Sequence, residues 1–225
     1  MTSKKNITVV WLTLILPSIF SFCYFGFFVE QSSAQILYSI SRVLLVLLPI
    51  AWVILADKDK FPFVRFKKDG LFAGVLSGLI IGILLIALYF LFFKNILDFT
   101  MLKYKATQLG FSGTNFVFIA IFITIINSSI EEYYWRWFAF TKLRNVVSSR
   151  KAMLISAIGF SFHHMIVLIT YFGMSFGMLF SFGVFLGGLI WAYFYDKYDS
   201  ILPCIVSHLI IDAAVMAIGY DIIFG

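Results

Sequence analysis

Charged residues are scarce in this chain of 225 residues. Only 12% of its residues are Asp, Glu, Lys or Arg, about half of the roughly 25% that a soluble domain usually carries. Apolar residues make up 62%, and no hydrophilic stretch is long enough to form a second domain. This composition excludes an ordinary soluble protein and predicts one integral-membrane domain over residues 1–225.

Cysteine and the common catalytic signatures are also scarce or absent. Cys23 and Cys204 both lie in apolar segments, and they form neither a metal-ligand spacing nor a disulfide framework. The chain has no H-E-x-x-H helix and no G-x-S-x-G elbow. The usual zinc-protease helix and the usual serine-hydrolase turn are therefore excluded.

Long apolar runs are abundant, and they are continuous rather than alternating. Continuous runs favour helices over a strand-rich barrel, and a membrane span needs about 20 apolar residues. The predicted fold class is an all-α, polytopic transmembrane helix bundle with about seven spans. An eighth span, or a helix at the membrane interface, is possible within residues 95–113. The predicted spans are 7–29, 36–56, 71–93, 115–140, 152–172, 174–195 and 201–218.

The basic residues are distributed unevenly around these spans. With a cytoplasmic N-terminus, thirteen Lys and Arg residues, Arg136 among them, are assigned to the inner segments and three to the outer loops. Such a bias sets membrane orientation, so the N-terminus is predicted inside and the C-terminus outside. The net charge of +6 then reports topology. The predicted partner is the lipid bilayer, and no nucleic acid is expected.

A few ionisable residues interrupt the apolar spans. A charge at the bilayer centre costs roughly 2.5–3.5 kcal/mol even on mild scales, and such residues face a protein interior or a water-filled cavity. Their depths within the spans predict that they meet in one cavity. These residues are Glu131, Glu132, Arg136, His164, His208 and Asp212.

Residues four positions apart share a helix face. Glu132 and Arg136 have this spacing, whereas Glu131 points about 100° away from its neighbour. We therefore expect one carboxylate to pair with Arg136 and the other to remain available for chemistry. His163 is expected to face elsewhere than His164 and to be structural.

The same spacing recurs in two later spans. It places the ring of Phe160 beside His164, and the carboxylate of Asp212 beside His208. A carboxylate and a histidine can deprotonate a water that attacks a carbonyl, while further polar groups stabilise the oxyanion. Two histidines and a carboxylate could alternatively hold zinc. A non-enzymatic immunity or regulatory protein and a proton-coupled transporter are the rival interpretations.

Three ordered motifs carry a family resemblance. Residues 131–136 match E-E-x-x-x-R, residues 160–164 match F-x-x-x-H, and residues 208–212 match H-x-x-x-D/N. In this order on late spans, they resemble the CPBP family of CAAX prenyl proteases and bacteriocin-processing enzymes, also called Abi proteins. The resemblance places the catalytic core at residues 115–218.

The resemblance implies an intramembrane endopeptidase that cuts a membrane-associated peptide or protein. It implies a glutamic-type mechanism without a cofactor, with zinc as the alternative, and a multi-pass protein of a bacterial plasma membrane. In this reading Glu131 and His164 activate water, and His208 and Asp212 form the oxyanion site. The implied supporting residues are Glu132, Arg136 and Phe160.

Overall fold

A computed structural model describes residues 4–24, 32–57, 63–108 and 110–225. All regular elements within these ranges are helical, which confirms the all-α prediction. Residues 25–29, the end of the first predicted span, lie outside the described ranges. The helices are α1 Lys4–Phe22, α2 Ser32–Trp52, α3 Leu71–Leu91, α4 Thr100–Gln108, α5 Gly113–Arg144, α6 Ser149–Tyr198 and α7 Leu202–Phe224.

Four described helical segments are long and apolar enough to cross a membrane. They are α3 with its short 3₁₀ extension, α5, α6 and α7. The chain is therefore a membrane protein with several apolar helices. The total of seven spans and the cytoplasmic N-terminus stay predictions.

Helix α6 is a hairpin of two antiparallel arms. Gly173 interrupts it with φ 74° and ψ 173°, a conformation that glycine adopts without the steric cost of a Cβ. Across the turn, Ser161 Oγ donates a hydrogen bond of 2.6 Å to the carbonyl oxygen of Ser181. Gly177 packs so closely on Ile169 that an added Cβ would lie 2.6 Å from its backbone. The predicted break between residues 172 and 174 is therefore found.

The short helix α4 occupies the segment in which an eighth span was possible. Its nine residues rise by about 14 Å, less than half of the roughly 30 Å hydrocarbon core. Lys103 and Lys105 lie on it. This helix is too short to cross the membrane, which argues against an eighth span there, and the interfacial helix stays a prediction.

A glycine seam joins α3 to α7. A Cβ on Gly74 would lie 2.5 Å from the carbonyl oxygen of Pro203, and one on Gly78 would lie 3.0 Å from that of Ser207. One turn further along α3, a Cβ on Gly82 would lie 3.3 Å from the Cβ of Ala214. Both sequences advance in the same direction, so the two helices run parallel. Parallel helices cross the membrane in the same sense, in agreement with the predicted alternation between the third and the seventh span.

An exposed ion cluster fixes the loop between α6 and α7. Asp199 adopts a left-handed conformation with φ 49°, and it pairs with Lys67 at 2.8 Å and with Arg65. The hydrogen bond from Lys67, followed by that from Arg65, holds the pKa of Asp199 below its ordinary value. The backbone N–H of Ile201 donates to the carbonyl oxygen of Arg65, which anchors the start of α7.

Gly74→Ala is expected to lower the stability of the fold. Its new methyl group would collide with the backbone of Pro203, and overpacking of this kind typically costs about 1–3 kcal/mol. Thermal unfolding in detergent, followed by tryptophan fluorescence, measures the loss. Gly183→Ala is the matched control, because its Cβ would meet no atom within 4 Å. Equal melting temperatures for the two variants would contradict the seam.

Candidate active site

Three separate elements carry the predicted site residues. The paired glutamates lie on a short α-helical stretch of α5, Ser128–Glu132. Phe122–Asn127 and Tyr133–Phe140, on either side of that stretch, are π-helical. π-Helical turns are rare and occur frequently at functional sites. The first arm of α6 carries His164, and α7 carries His208 and Asp212.

Glu132 is the buried centre of an ion-pair network. Its Oε2 lies 3.1 Å from Arg136 Nε, and its Oε1 accepts a hydrogen bond of 2.9 Å from His208 Nδ1. Glu132 and Arg136 have no solvent exposure, and His208 is only 4% exposed. The predicted division of the glutamates is therefore found, with Glu132 as the structural partner. Arg136 lies inside the bundle and does not belong among the cytoplasmic charges.

Aromatic rings enclose this network. The guanidinium carbon of Arg136 lies 4.6 Å from the ring centre of Phe160 and 5.1 Å from that of Trp191. Trp191 also stacks on His208, with ring centres 4.1 Å apart and an angle of 17°. Such cation–π contacts are strongest when water is excluded. Phe160 therefore lies at the site, as predicted. Trp191 makes the same kind of contact, and the motifs did not reveal it.

Glu131 faces two histidines, one of which also belongs to this network. Its Oε2 lies 3.8 Å from His164 Nε2 and 4.0 Å from His208 Nε2. The side-chain amide of Asn127 donates a hydrogen bond of 3.1 Å to its Oε1. The carboxylate is 3% exposed. The structure therefore brings together the carboxylate and the imidazole that were predicted to act on water.

Hydrogen bonds define the protonation of each imidazole. His164 Nδ1 lies 2.9 Å from the carbonyl oxygen of Phe160, which can only accept, so Nδ1 carries a proton. In the neutral ring, Nε2 is then an acceptor that faces Glu131. His208 Nδ1 likewise donates to Glu132. Its Nε2 is a donor only when the ring is doubly protonated.

Asp212 lies at the edge of the same cluster. Its Oδ1 is 3.6 Å from His208 Nε2, beyond hydrogen-bond distance. Its Oδ2 accepts a hydrogen bond of 2.8 Å from Ser128 Oγ. Asp212 therefore joins the cluster as predicted, and its side chain links α7 to the glutamate-bearing stretch of α5.

A cavity of about 240 Å³ opens beside Glu131. His163 and His164 both contribute to its lining, so the expectation that His163 faces elsewhere was wrong. The His163 ring stacks on Trp135 with an angle of 5° and lies 4.0 Å from the His164 ring, centre to centre. Adjacent helical residues diverge by about 100°, and this cavity is wide enough to contact both rings. α1 and α2 close its other side, through Pro17 and Leu45 among others.

Asn127 and Ser128 also contact the site residues, and the three motifs do not include them. Both are polar residues within an apolar span, four and three positions before Glu131. On a helix this spacing puts Asn127 on the face of Glu131. The contact between Ser128 and Asp212 joins residues far apart in the chain, and spacing alone could not reveal it.

A comparison with known protein families gave a match. Residues 113–214 match the family described as type II CAAX prenyl endopeptidase Rce1-like. This match covers less than half of the chain, and it confirms the resemblance inferred from the three motifs. The family that it names is one of proteases. A search of curated proteins and a search of solved structures each gave no match.

Arg136→Met is expected to destabilise the protein by about 3–5 kcal/mol, because it leaves Glu132 as a buried and uncompensated charge. The double variant Glu132→Gln with Arg136→Met should lose less than the two single losses added together. Reversible unfolding in detergent provides the free energies. Arg144→Met is the control, since its pair with Asp196 is partly exposed and such pairs are worth about 0–1 kcal/mol. Additive losses would show that Glu132 and Arg136 are not coupled.

Proposed function

We propose that this protein is an intramembrane endopeptidase that hydrolyses a peptide bond in a membrane-associated peptide or protein. One observation carries the proposal. Glu131 lies beside a cavity with its Oε2 3.8 Å from His164 Nε2, while the neighbouring Glu132 is committed to Arg136 and His208. We therefore assign the hydrolysis to Glu131 and a structural role to Glu132.

In the proposed mechanism, Glu131 is the general base. A water within hydrogen-bond reach of Glu131 and His164 loses a proton to the carboxylate as its oxygen attacks the carbonyl carbon of the peptide bond. His164 accepts a hydrogen bond from this water at Nε2 and orients it. Glu131 then returns the proton to the leaving nitrogen when the carbon–nitrogen bond breaks. No covalent enzyme intermediate forms.

The negative charge on the carbonyl oxygen requires a donor. His208 is the proposed donor, through Nε2 of its doubly protonated ring, because Nδ1 already donates to Glu132. Donors of this kind typically contribute a factor of about 10²–10³ in kcat. Asp212 supports the oxyanion site by facing the same nitrogen at 3.6 Å. Its bond from Ser128 fixes the carboxylate in this position.

The proposed reaction needs no cofactor. A zinc-dependent protease of the same family is the second candidate, because ligand atoms of Glu131, His163 and His164 lie within 4.8 Å of one another. Two imidazoles and a carboxylate form a known catalytic zinc set. The glutamic mechanism is preferred, because the chain lacks the compact H-E-x-x-H spacing that is usual in zinc proteases.

We further propose a multi-pass location in a bacterial plasma membrane, with seven spans and a cytoplasmic N-terminus. The charge bias of the loops supports this orientation, and the parallel alignment of α3 and α7 supports the alternation of sides. The proposed substrate class rests on the position of the cavity. It lies between α1, α2, α5 and α6, of which α5 and α6 are long and apolar enough to cross a membrane.

Glu131→Gln is expected to reduce cleavage at least a hundredfold, since an amide cannot accept the proton and general-base catalysis contributes about 10²–10⁴. The assay uses the full chain in proteoliposomes with two quenched fluorogenic peptides, one farnesylated with a CAAX end and one a single apolar span. Mass spectrometry identifies the cut bond, and a parallel sample contains EDTA.

Asp196→Asn is the matched control for this assay. It makes the same carboxylate-to-amide change at a partly exposed pair with Arg144, outside the cavity, and should leave cleavage unchanged. Full activity of Glu131→Gln would refute its role as the base. Loss of activity in EDTA, with recovery on adding zinc, would favour the metalloprotease. Failure of the wild type on both peptides would favour a non-enzymatic immunity or regulatory protein.

A reporter fused after residue 225 should be active only outside the cytoplasm, as expected for an odd number of spans and a cytoplasmic N-terminus. Alkaline phosphatase and green fluorescent protein fusions measure the two sides independently. The control fusion point is residue 146, between α5 and α6, which should give the opposite result. Cytoplasmic location of both points would show that the number of spans between them is even.

A further inference from the structure

The cavity beside Glu131 has a floor where three helices meet. Leu14 of α1, Trp135 of α5 and Gly159 of α6 touch there. A Cβ on Gly159 would lie 2.9 Å from the Leu14 side chain and 2.9 Å from the Trp135 ring. All three residues are buried. The bundle is therefore closely packed on this side of Glu131.

The cavity continues from this floor in a single direction. α1 and the first arm of α6 run away from the floor, whereas α2 and α5 run towards it, so their lining residues share one course through the bundle. From Leu14 to Tyr24 this course is about 15 Å long. This part of the cavity, beyond the floor, is called the passage. Its lining residues lie within 17–24 of α1, 41–45 of α2, 127–131 of α5 and 163–167 of α6.

Burial along the helices changes in the same direction. On α5, every residue of Tyr134–Phe140 is buried, whereas none of residues 117–127 is buried. On the first arm of α6, buried residues end at His163, and none of residues 164–176 is buried. Both helices are therefore tightly packed at the floor and more accessible along the passage.

Polar side chains line the passage within otherwise apolar helices. Ser21 and Tyr24 of α1 and Ser41 of α2 contribute hydroxyl groups, and Asn127 of α5 contributes an amide. Polar residues in such helices face a protein interior or a water-filled cavity. A peptide backbone inside a membrane also needs hydrogen-bond partners. The passage therefore suits both the water and the peptide that the proposed hydrolysis requires at Glu131.

The passage leads to the end of the bundle that carries the Gly173 turn. α4 begins at the same end, since the ring centre of Phe99 lies 6.4 Å from that of Phe172. The loops at the floor end, residues 65–68 and 144–151, contain six basic residues, whereas the connection through α4, residues 93–112, contains three. Because basic residues favour the cytoplasmic side, the floor is assigned to that side and the passage to the opposite one.

We propose that the substrate reaches Glu131 through the passage, from the extracytoplasmic side of the membrane. The substrate class is then a membrane-associated peptide or protein that presents its scissile bond on that side, such as an exported peptide. This inference rests on the proposed function and the proposed orientation. A peptide confined to the cytoplasmic surface would instead meet the packed floor.

Thiol labelling tests the passage without any substrate. In a Cys23→Ser background, Ser21→Cys and Ser41→Cys each place one thiol in the wall of the passage, on different helices. Cys204 is retained, because it has no solvent exposure. A small, membrane-impermeant thiol reagent is added to sealed vesicles of either orientation that contain the full-length protein. Both variants should react at least tenfold faster from the extracytoplasmic side.

Thr107→Cys on α4 and Ser148→Cys between α5 and α6 are the controls, because both positions are exposed at opposite ends of the bundle. Thr107→Cys should react from the same side as the passage, and Ser148→Cys from the cytoplasmic side. Reaction of Ser21→Cys and Ser41→Cys from the side of Ser148→Cys, equally from both sides, or from neither side would overturn the proposal. Extracytoplasmic reaction of Ser148→Cys would also overturn it, since the passage would then open to the cytoplasm.

Blocking the passage tests the route of the substrate. The single-span fluorogenic peptide is added to the extracytoplasmic face of oriented proteoliposomes. A bulky maleimide coupled to Ser21→Cys should slow cleavage at least tenfold relative to the unlabelled variant, and the same label on Thr107→Cys should leave cleavage unchanged. Equal cleavage by labelled and unlabelled Ser21→Cys would overturn the route. Absence of cleavage by the unlabelled wild type would instead contradict the proposed function, and thiol labelling would still decide on which side the passage opens.

Discussion

The burial of Arg136 is the constraint on which the site depends. A guanidinium without solvent exposure inside an apolar bundle is tolerable only with a close counter-charge and further favourable contacts. Glu132 supplies the counter-charge from the same helix, and the rings of Phe160 and Trp191 supply cation–π contacts from the two arms of α6. Because His208 donates to Glu132, the compensation of one charge holds α5, α6 and α7 together.

This constraint explains why two adjacent glutamates are present. Neighbouring helical side chains diverge by about 100°, so one carboxylate can face the buried arginine while the next faces the cavity. Glu132 uses both oxygens within the network. Glu131 receives an amide hydrogen bond from Asn127 and otherwise faces imidazoles. The same functional group thus has two environments, a buried ion-pair network around Glu132 and the edge of a cavity beside Glu131.

Local relationships were predictable from the sequence, and relationships between helices were not. The pairing of Glu132 with Arg136 follows from helical spacing, and the break near Gly173 follows from the lengths of the apolar runs. The bond between Glu132 and His208 joins residues 76 positions apart, so spacing alone could not reveal it. The position of His163 depends on its stacking against Trp135. The angle of about 100° between adjacent helical residues predicted that His163 would face elsewhere than His164. That prediction was wrong, because the cavity is wide enough to contact both rings.

The helix α3 lies far from the three motifs in sequence, yet it determines where α7 can sit. Gly74 and Gly78 let the backbones of α3 and α7 approach so closely that an added Cβ would collide. This close contact fixes both the position of α7 along α3 and its rotation about its own axis. Ser207 faces the seam and hydrogen-bonds to Ser77 at 2.9 Å. The next residue, His208, therefore points about 100° away, towards Glu132. The packing of α7 on the glycines of α3 thus sets the direction of the His208 imidazole. The proposed oxyanion donor must be held within about half an ångström, and a seam of backbone contacts meets that requirement better than long, flexible side chains.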